Sequence, residues 1–366
     1  MLQYILSFIV LISVVVFIHE YGHYYFAKKY KVGVTDFSIG FGKELIGFYD
    51  KDGTRWKICA IPLGGYVKFF GDSNSASQPK SLSKINEEDH SKLLTTKPLY
   101  QRAIIVSAGP IANFILAIFI FAIIFMTVGK DVTIPIISEV KNNSPAQEVG
   151  LKNNDQIIFI DNKKIESIND VALFITTSKK NNVKIDVLRN QKELSFSVVP
   201  EKKMTKDNFG NNIERKLIGI KIAPLKGQLN REKMGPAKAL YLSVNETYNT
   251  IAMTLSYIGR MISGQESADQ LGGPIKIAQI SGKVAEHGFI PFLSIMAYIS
   301  ISLGLINLFP IPLLDGGHLF FYLIEFVRGK PLSENVQIYF YKFGMALLFT
   351  LMFFATFNDL KSLGLF

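Results

Sequence analysis

Cysteine is almost absent from this chain, which has one, Cys59, in 366 residues. An internal disulfide therefore cannot form, and metal or redox sites built from paired cysteines are excluded. Charged residues are also few, at 19% against 48% hydrophobic residues, and long stretches have none. This distribution excludes a disordered chain and argues against one compact water-soluble globule. The net charge of +10 does not indicate nucleic-acid binding, because excess lysine and arginine usually marks the cytoplasmic loops of a membrane protein.

Four apolar stretches are long enough to cross a membrane, since about 20 apolar residues span roughly 30 Å of hydrocarbon. They lie at about Leu2–Ala27, Ala103–Val128, Gly288–Leu314 and Val336–Phe357. Apart from Glu20 and Lys342, they contain no Asp, Glu, Lys or Arg. We therefore predict a polytopic α-helical membrane protein with about four transmembrane helices. The first stretch does not resemble a cleaved signal peptide, because Met1–Ser7 contains no lysine or arginine.

The charge of the loops predicts how the chain crosses the membrane. Residues 24–102 contain 13 Lys or Arg against 8 Asp or Glu, whereas the residues before the first stretch contain neither. The positive-inside rule then places residues 24–102 in the cytoplasm and the N-terminus outside. The long region 129–287 would lie outside, which in a bacterial inner membrane is the periplasmic side.

The first apolar stretch contains His19-Glu20-Tyr21-Gly22-His23, an HExxH motif. Because residues i and i+4 of a helix share a face, both imidazoles could bind one ion. Glu20 lies next to a ligand and could take a proton from water as the general base of a zinc hydrolase. The alternative is a histidine pair that only hydrogen-bonds to neighbouring polar groups.

A third ligand is expected, because catalytic zinc usually has three protein ligands and one open position. Asp315 directly follows the uncharged third stretch and is our predicted third ligand, with His318 as a competing candidate. Pro310 and Pro312 cannot continue a regular helix, and broken helices in membranes occur where the backbone lines a site. Taken without the HExxH motif, Asp315 would be interpreted as a helix-end residue at the membrane interface.

The two motifs together, HEYGH at 19–23 and NLFPIPLLDG at 307–316, resemble those of the site-2 protease family of intramembrane zinc metalloproteases. The similarity is greatest to the bacterial branch that contains RseP, the regulator of sigma-E protease. Three glycine-rich pieces add to it: GGYVKF at 64–69, GPIANF at 109–114 and LGGPIKIA at 271–278. The resemblance implies a membrane-associated β-rich loop after the first span.

The resemblance also implies roles for individual residues. His19, His23 and Asp315 would bind zinc, and Glu20 would activate the water. Asn307 would hold the substrate or stabilise the tetrahedral oxyanion, because an amide donor can be directed at developing negative charge. A helix–helix hydrogen bond in lipid is the alternative for this amide.

The glycine pair Gly64 and Gly65 has a further expected role. A substrate helix hides its peptide carbonyls in hydrogen bonds and must unwind locally before cleavage. By analogy with other modes of peptide recognition, the loop around these glycines could offer the unwound segment a strand edge.

Residues 132–200 have the pattern of short strands, for example at 156–160 and 183–187. Within them SPAQEVGLKNND, at 144–155, resembles a bacterial PDZ domain. The glycine usual before the aspartate is Asn154 here, and asparagine tolerates positive φ. A PDZ groove binds a peptide by strand addition. The module could instead be a β-rich spacer without a ligand, or a filter that excludes bulky substrates.

The region 201–287 is predicted to be a linker followed by an amphipathic helix. Apolar residues recur at helical spacing between Pro236 and Ser263, and acidic residues are few. Such a helix could lie on the membrane surface or dock on the rest of the outer part.

The predicted organisation alternates spans and inserted segments. Its boundaries are 1–27 for span one, 28–102 for the cytoplasmic loop, 103–128 for span two, 132–200 for the PDZ domain, 201–287 for the linker and amphipathic helix, 288–318 for span three and 336–357 for span four.

These features and the resemblance predict an intramembrane zinc metalloprotease that cuts single-span membrane proteins after their outer domain is removed. The resemblance implies anti-sigma factors and remnant signal peptides as substrates, with an upstream protease on the outer side as a partner. A catalytically silent PDZ scaffold is the alternative, and the intact Glu20 argues against it. A metal transporter would require more carboxylates within the spans than Glu20 and Asp315.

Overall fold

The computed structural model describes residues 2–72, 87–178, 181–206, 212–225, 229–264, 267–268 and 271–363. The chain divides into two compact units, of which unit 1 comprises residues 1–121 and 242–366 and unit 2 comprises residues 122–241. The helices are α1 Leu2–Lys29, α2 Leu99–Thr127, α3 Pro145–Glu148, α4 Ile168–Thr177, α5 Pro236–Ile262, α6 Pro274–Glu286, α7 Phe289–Asn307, α8 Asp315–Arg328 and α9 Glu334–Ser362. A single 3-10 helix, Glu87–Lys92, lies between β2 and α2 in the described sequence. The strands are β1 Val34–Tyr49, β2 Arg55–Phe69, β3 Lys130–Asp131, β4 Pro135–Val140, β5 Gln156–Ile160, β6 Lys163–Lys164, β7 Val183–Arg189, β8 Lys192–Val198, β9 Glu201–Lys206, β10 Asn212–Leu217, β11 Ile220–Pro224 and β12 Arg231–Glu232.

Four helices in the described part of the chain are long and apolar enough to cross a membrane, as the sequence predicts. They are α1, α2, α7 and the part of α9 from Asn335 to Ser362. Their outward side chains are largely apolar, and Phe349 in α9 remains 60% exposed. Exposed apolar helix faces are what hydrocarbon, rather than water, accommodates.

The third apolar stretch is broken, with a gap between α7 and α8. The helix ends at Asn307, and Pro310 and Pro312 follow. The helix does not continue through them, because neither proline can donate the backbone hydrogen bond that the next turn would need. A new helix then begins at Asp315. The turn before it is tight, so that a side chain on Gly316 would overlap the backbone carbonyls of Leu308 and Phe309.

The loop after α1 forms an antiparallel sheet from two long bent strands. The segment 34–39 of β1 pairs with residues 65–69 of β2 on one side and with residues 55–58 on the other. The rest of β1 pairs with the beginning of β2, so residues 65–69 form an edge of this sheet. A β-rich loop at this place is what the resemblance implies.

Unit 2 is built around one sheet with the order β11-β4-β5-β7-β8, with β6 paired to β5. Its core consists of apolar side chains that are almost fully buried, for example Ile137, Ile157 and Ile185. β11 pairs with β4 although it lies beyond residue 200, so the sheet extends past the predicted range 132–200. Asn154 has φ of 69°, the conformation expected at the position that glycine usually fills.

Two helices fill the region before α7. α5 matches the predicted amphipathic helix, whereas α6 was not predicted. The glycine-rich piece at 271–278 forms the start of α6, and the carboxylate of Asp359 in α9 caps it. Asp359 accepts hydrogen bonds from the backbone N–H groups of Gly273, Ile275 and Lys276. The cap satisfies N–H groups that have no partner within the helix.

Candidate active site

The HExxH residues lie on the face of α1 that packs inside unit 1. His19, Glu20 and His23 are 6%, 9% and 7% exposed. Their burial follows from Gly22, where a side chain would overlap the backbone carbonyl of Ala108 in α2. The absence of a side chain at Gly22 therefore lets the two spans approach closely beside the histidines.

Asp315 is the first residue of α8, and its carboxylate lies next to the two imidazoles. Its Oδ2 lies 3.1 Å from Nε2 of His19 and 3.4 Å from Nε2 of His23. The two Nε2 atoms are 3.3 Å apart. Among the described residues, these three side chains could together hold a metal ion. Two come from HEYGH and the third from NLFPIPLLDG.

The geometry of the three atoms fits a metal. Ligand atoms at typical Zn–N and Zn–O bond lengths around a tetrahedral ion are about 3.3 Å apart, close to the distances seen here. An imidazole nitrogen that binds metal carries no proton, and Oδ2 of Asp315 then has no hydrogen-bond donor in the described part of the chain. Three buried acceptor atoms that face one point are stable only with a cation between them or with added protons.

Glu20 is held between the histidines and the edge of the β1–β2 sheet. Its carboxylate lies close to the backbone N–H of Val67 in β2. A Cβ on Gly65 would lie 3.2 Å from Cγ of Glu20 and closer still to the backbone oxygen of Ser38. The carboxylate is thus positioned next to the three atoms that could hold a metal and beside a strand edge.

Comparisons with known proteins agree with this arrangement. The family model "Peptidase family M50" matches residues 7–351. This chain belongs to peptidase family M50, the site-2 protease family. A "Putative zinc metalloprotease" of Agrobacterium fabrum is 44% identical over 98% of this chain and 96% of its own length. One of the same description from Rhizobium meliloti is 39% identical over 98% and 97%. "Metalloprotease MmpA" of Caulobacter vibrioides is 34% identical over 99% and 96%. The family predicted from the two motifs is therefore confirmed.

The other predicted site residues of this M50 peptidase lie at different distances from the metal-binding atoms. Nδ2 of Asn307 is 3.2 Å from Nε2 of His19, so the amide borders the site. Gly65 borders Glu20, whereas Gly64 packs on the ring of Phe41. The roles of all three in substrate binding stay predictions.

His318, the competing candidate for the third ligand, lies outside the group of described side chains that could hold a metal ion. Its ring faces that of Tyr341 in α9, at 5.9 Å between centroids. The structure therefore favours Asp315 over His318 as the third ligand of the M50 site.

The second span supplies contacts that sequence reasoning missed. Nδ1 of His23 lies 2.9 Å from the backbone oxygen of Ile105, and Nδ1 of His19 lies 3.2 Å from the side-chain amide of Asn113. A Cβ on Gly109 would overlap the His23 imidazole and come within 2.9 Å of Nε2 of His19. The signal was present in GPIANF, because an amide in an uncharged span is expensive and therefore informative.

A salt bridge holds the helix that carries Asp315. Nη1 of Arg102, near the start of α2, donates to Oε2 of Glu325 in α8 at 3.0 Å. Both side chains are largely buried, and the Arg102 guanidinium also lies over the ring of Tyr322. α2 thus contacts both histidines and, through this pair, α8.

Proposed function

We propose that this M50 peptidase is an intramembrane zinc metalloprotease in which His19, His23 and Asp315 hold the metal. One observation carries the proposal: a buried carboxylate oxygen, which accepts no hydrogen bond from the described residues, faces two imidazole nitrogens at 3.1 and 3.4 Å. Membership of the family and the names of the relatives support zinc as the cofactor. When bound, zinc would polarise the scissile carbonyl and acidify water.

The residues of the chain would perform the proton transfers and orient the substrate. Glu20 takes a proton from the attacking water and passes it to the leaving amine nitrogen. The amide of Asn307 donates to the oxygen that becomes negatively charged in the transition state. Burial of Glu20 and His19 among three helices keeps bulk water away from these groups, which strengthens electrostatic interactions there.

The substrates we propose are single-span membrane proteins whose outer domain has already been removed by another protease. A substrate helix would unwind, and its extended segment would lie along the edge formed by residues 65–69 of β2. Support comes from the position of this edge, because Gly65 and Val67 both lie at Glu20. Anti-sigma factors and remnant signal peptides are the candidate substrates.

The catalytic assignment predicts different outcomes for the base and for a ligand. Glu20→Gln keeps the shape of the side chain but not the base, so it should retain zinc and lose cleavage by about 100- to 10,000-fold. Asp315→Ala should lose both. The measurements are zinc content of the purified protein and cleavage of a single-span substrate in lipid vesicles. Full activity of the Glu20→Gln protein would contradict the mechanism.

We further propose that unit 2, through its PDZ-like segment 144–155, lies on the periplasmic side of a bacterial inner membrane and handles substrates there. Support comes from the charge of residues 24–102 and from the turn at Asn154, whose φ of 69° matches a PDZ-type loop. The buried Asp155 accepts hydrogen bonds from the Arg189 side chain, which fixes the end of that loop. Such a module could bind peptides by strand addition, or it could exclude bulky substrates.

Cysteine labelling in intact cells tests this orientation. The native Cys59 is 4% exposed and its Sγ contacts the Ser38 hydroxyl, so it is first replaced by alanine. New single cysteines then replace the exposed residues Lys51 and Asn181. A membrane-impermeant thiol reagent should label position 181 and miss position 51 until the cells are lysed. The reverse pattern would contradict the proposed topology.

A further inference from the structure

The second span contains a buried amide whose contacts point to a role in the metal site. Asn113 is fully buried in α2, and its side chain faces Nδ1 of His19 at 3.2 Å. Its Oδ1 is buried without a hydrogen-bond partner in the part of the chain that the structure describes. A planar amide can face the ring with either its oxygen or its nitrogen, so the choice between the two ends requires an explanation.

The chemistry of the histidine ligands supplies that explanation. A neutral imidazole carries one proton, and an Nε2 atom that binds metal leaves this proton on Nδ1. The Nδ1–H group then needs an acceptor, because it is buried. His23 has one in the backbone oxygen of Ile105, at 2.9 Å. A carbonyl oxygen can only accept, so this contact requires the tautomer with Nε2 free.

The corresponding acceptor for His19 is Oδ1 of Asn113. If Nδ2 of the amide faced the ring, Nδ1 of His19 would have to accept its hydrogen bond. The ring proton would then lie on Nε2, the nitrogen that faces the metal site. A half-turn of the planar amide exchanges its two ends and moves no other atom. The oxygen then accepts the Nδ1–H of His19, and Nε2 of that ring is free for the metal.

Contacts from the third span hold Asn113 in this position. The hydroxyl of Ser300 in α7 donates to the backbone oxygen of Asn113 at 2.8 Å, and Ser300 is fully buried. At Gly304 an added Cβ would come within 3.3 Å of the Asn113 Cβ, so the two helices are in close contact there. Because the backbone of Asn113 is fixed, its short side chain remains within reach of the His19 ring.

We propose that Asn113 is a positioning residue of the metal site, whose side-chain oxygen holds His19 in the tautomer and orientation that present Nε2 to the metal. The inference rests on the proposed zinc ligands. Partners of this kind typically change metal affinity by about 10- to 100-fold when removed, because they orient the ring and raise its basicity. α2 would thus supply the acceptor for each of the two ligating rings, one from its backbone and one from a side chain.

Zinc affinity of the full chain in detergent tests the proposal. Zinc content is measured after equilibration with a series of competing chelator concentrations. Asn113→Leu removes the acceptor at similar volume and should weaken zinc binding by about 10- to 100-fold. Asn113→Asp keeps an oxygen acceptor and should stay close to the wild-type affinity. Ser300→Ala removes a hydrogen bond at the same helix contact but leaves the Gly304 contact and the Asn113 side chain in place. It should lower the unfolding temperature and weaken zinc binding much less than Asn113→Leu does.

Two results would overturn the role of Asn113 without affecting the proposed zinc ligands. One is wild-type zinc affinity in Asn113→Leu, and the other is a loss of zinc affinity in Ser300→Ala equal to that in Asn113→Leu. Asn113→Ala replaces the leucine variant if that variant does not fold. The wild-type protein and His23→Ala are measured in the same series, and equal zinc binding in these two would instead overturn the proposed ligands. Nitrogen-15 spectra of histidine-labelled, zinc-loaded wild type give an independent readout, in which metal on Nδ1 of His19 would also overturn the inference.

Discussion

The two units of this protein differ in the polar side chains that they bury and in the apolar side chains that they expose. Unit 2 buries aliphatic side chains such as Ile157 and Ile185 and is typical of a domain folded in water. Unit 1 buries Asn113 fully and His19 almost fully, while Phe349 is 60% exposed on the outside of α9. The same physical rule explains both units, because hydrocarbon accepts exposed apolar faces and water does not.

Two buried aspartates make the comparison more specific. In unit 2 Asp155 is fully buried, and both of its oxygens accept hydrogen bonds from Arg189, at 2.6 and 2.7 Å. In unit 1 Oδ2 of Asp315 has no donor in the described residues when the neighbouring histidines present bare nitrogens. A buried carboxylate whose oxygens are both hydrogen-bonded needs no further partner, whereas an unsatisfied one indicates a ligand.

The largest effect on zinc binding should come from adding one methyl group beside His19 and His23, the buried histidines of unit 1. Gly109→Ala places a Cβ on the His23 imidazole and within 2.9 Å of Nε2 of His19. Both rings must then move, and zinc affinity should fall by at least the 10- to 100-fold typical of a lost outer contact. Zinc content and cleavage are the measurements.

The matched control for this change is Gly259→Ala, in the interior of α5, where an added Cβ meets no atom within 4 Å. It should leave zinc content unchanged and stabilise the helix by about 0.5–1 kcal/mol. Equal zinc content in the two alanine variants would show that the centre of unit 1 tolerates movement of its ligands.

A smaller effect is expected from the same substitution on the outer faces of the two units. Phe349 in α9 and Val199 in unit 2 are 60% and 57% exposed. Phe349→Arg puts a charge into the hydrocarbon, which costs about 2.5–3.5 kcal/mol near mid-depth. Val199→Arg should change stability by no more than about 0.5 kcal/mol, because water solvates the charge.

Yield in the membrane fraction and the unfolding temperature in detergent measure the two arginine variants. Similar behaviour of both would mean that the exposed face of α9 does not contact lipid, and the contrast between the units would fail.

The sequence predicts those parts of the fold that depend on composition and local spacing. Uncharged runs predict the spans, and the i, i+4 spacing of His19 and His23 predicts a shared helix face, which the structure has. The pair of prolines predicts the break before Asp315. Each of these inferences needs no knowledge of which distant segments meet.

The features that were not predicted depend on contacts between distant segments. β11 joins the sheet of unit 2 by pairing with β4, about 80 residues earlier in the chain, and no local pattern at 220–224 reveals its partner. α6 is short and partly polar, and its cap comes from Asp359 in α9. The sequence shows Asn113 only as part of GPIANF, because its contact with His19 depends on which distant ring it faces.

The smallest predicted effect concerns the turn that joins the β1–β2 sheet to α1. Oδ2 of Asp50 accepts hydrogen bonds from the Tyr24 hydroxyl of α1 at 2.8 Å and from the Trp56 indole at 3.0 Å. Burial would raise the pKa of Asp50, but the bonds from Trp56 and from the backbone N–H of Thr54 outweigh it and lower the pKa to about 2. An unfolded aspartate titrates near pH 3.9.

Because the folded pKa is the lower one, the stability from Asp50 is complete above about pH 4 and is lost as the pH falls towards about 2. Acid should therefore detach this turn from α1. Trp56 is the only tryptophan, so its fluorescence in detergent reports the change directly. The wild type should show a red shift of the emission between about pH 4 and 2 that is weaker in Asp50→Asn, because the amide cannot be protonated in this range. Other acids of the sheet titrate in both proteins, so the difference between the two curves is the quantity that tests the assignment, and identical curves would contradict it.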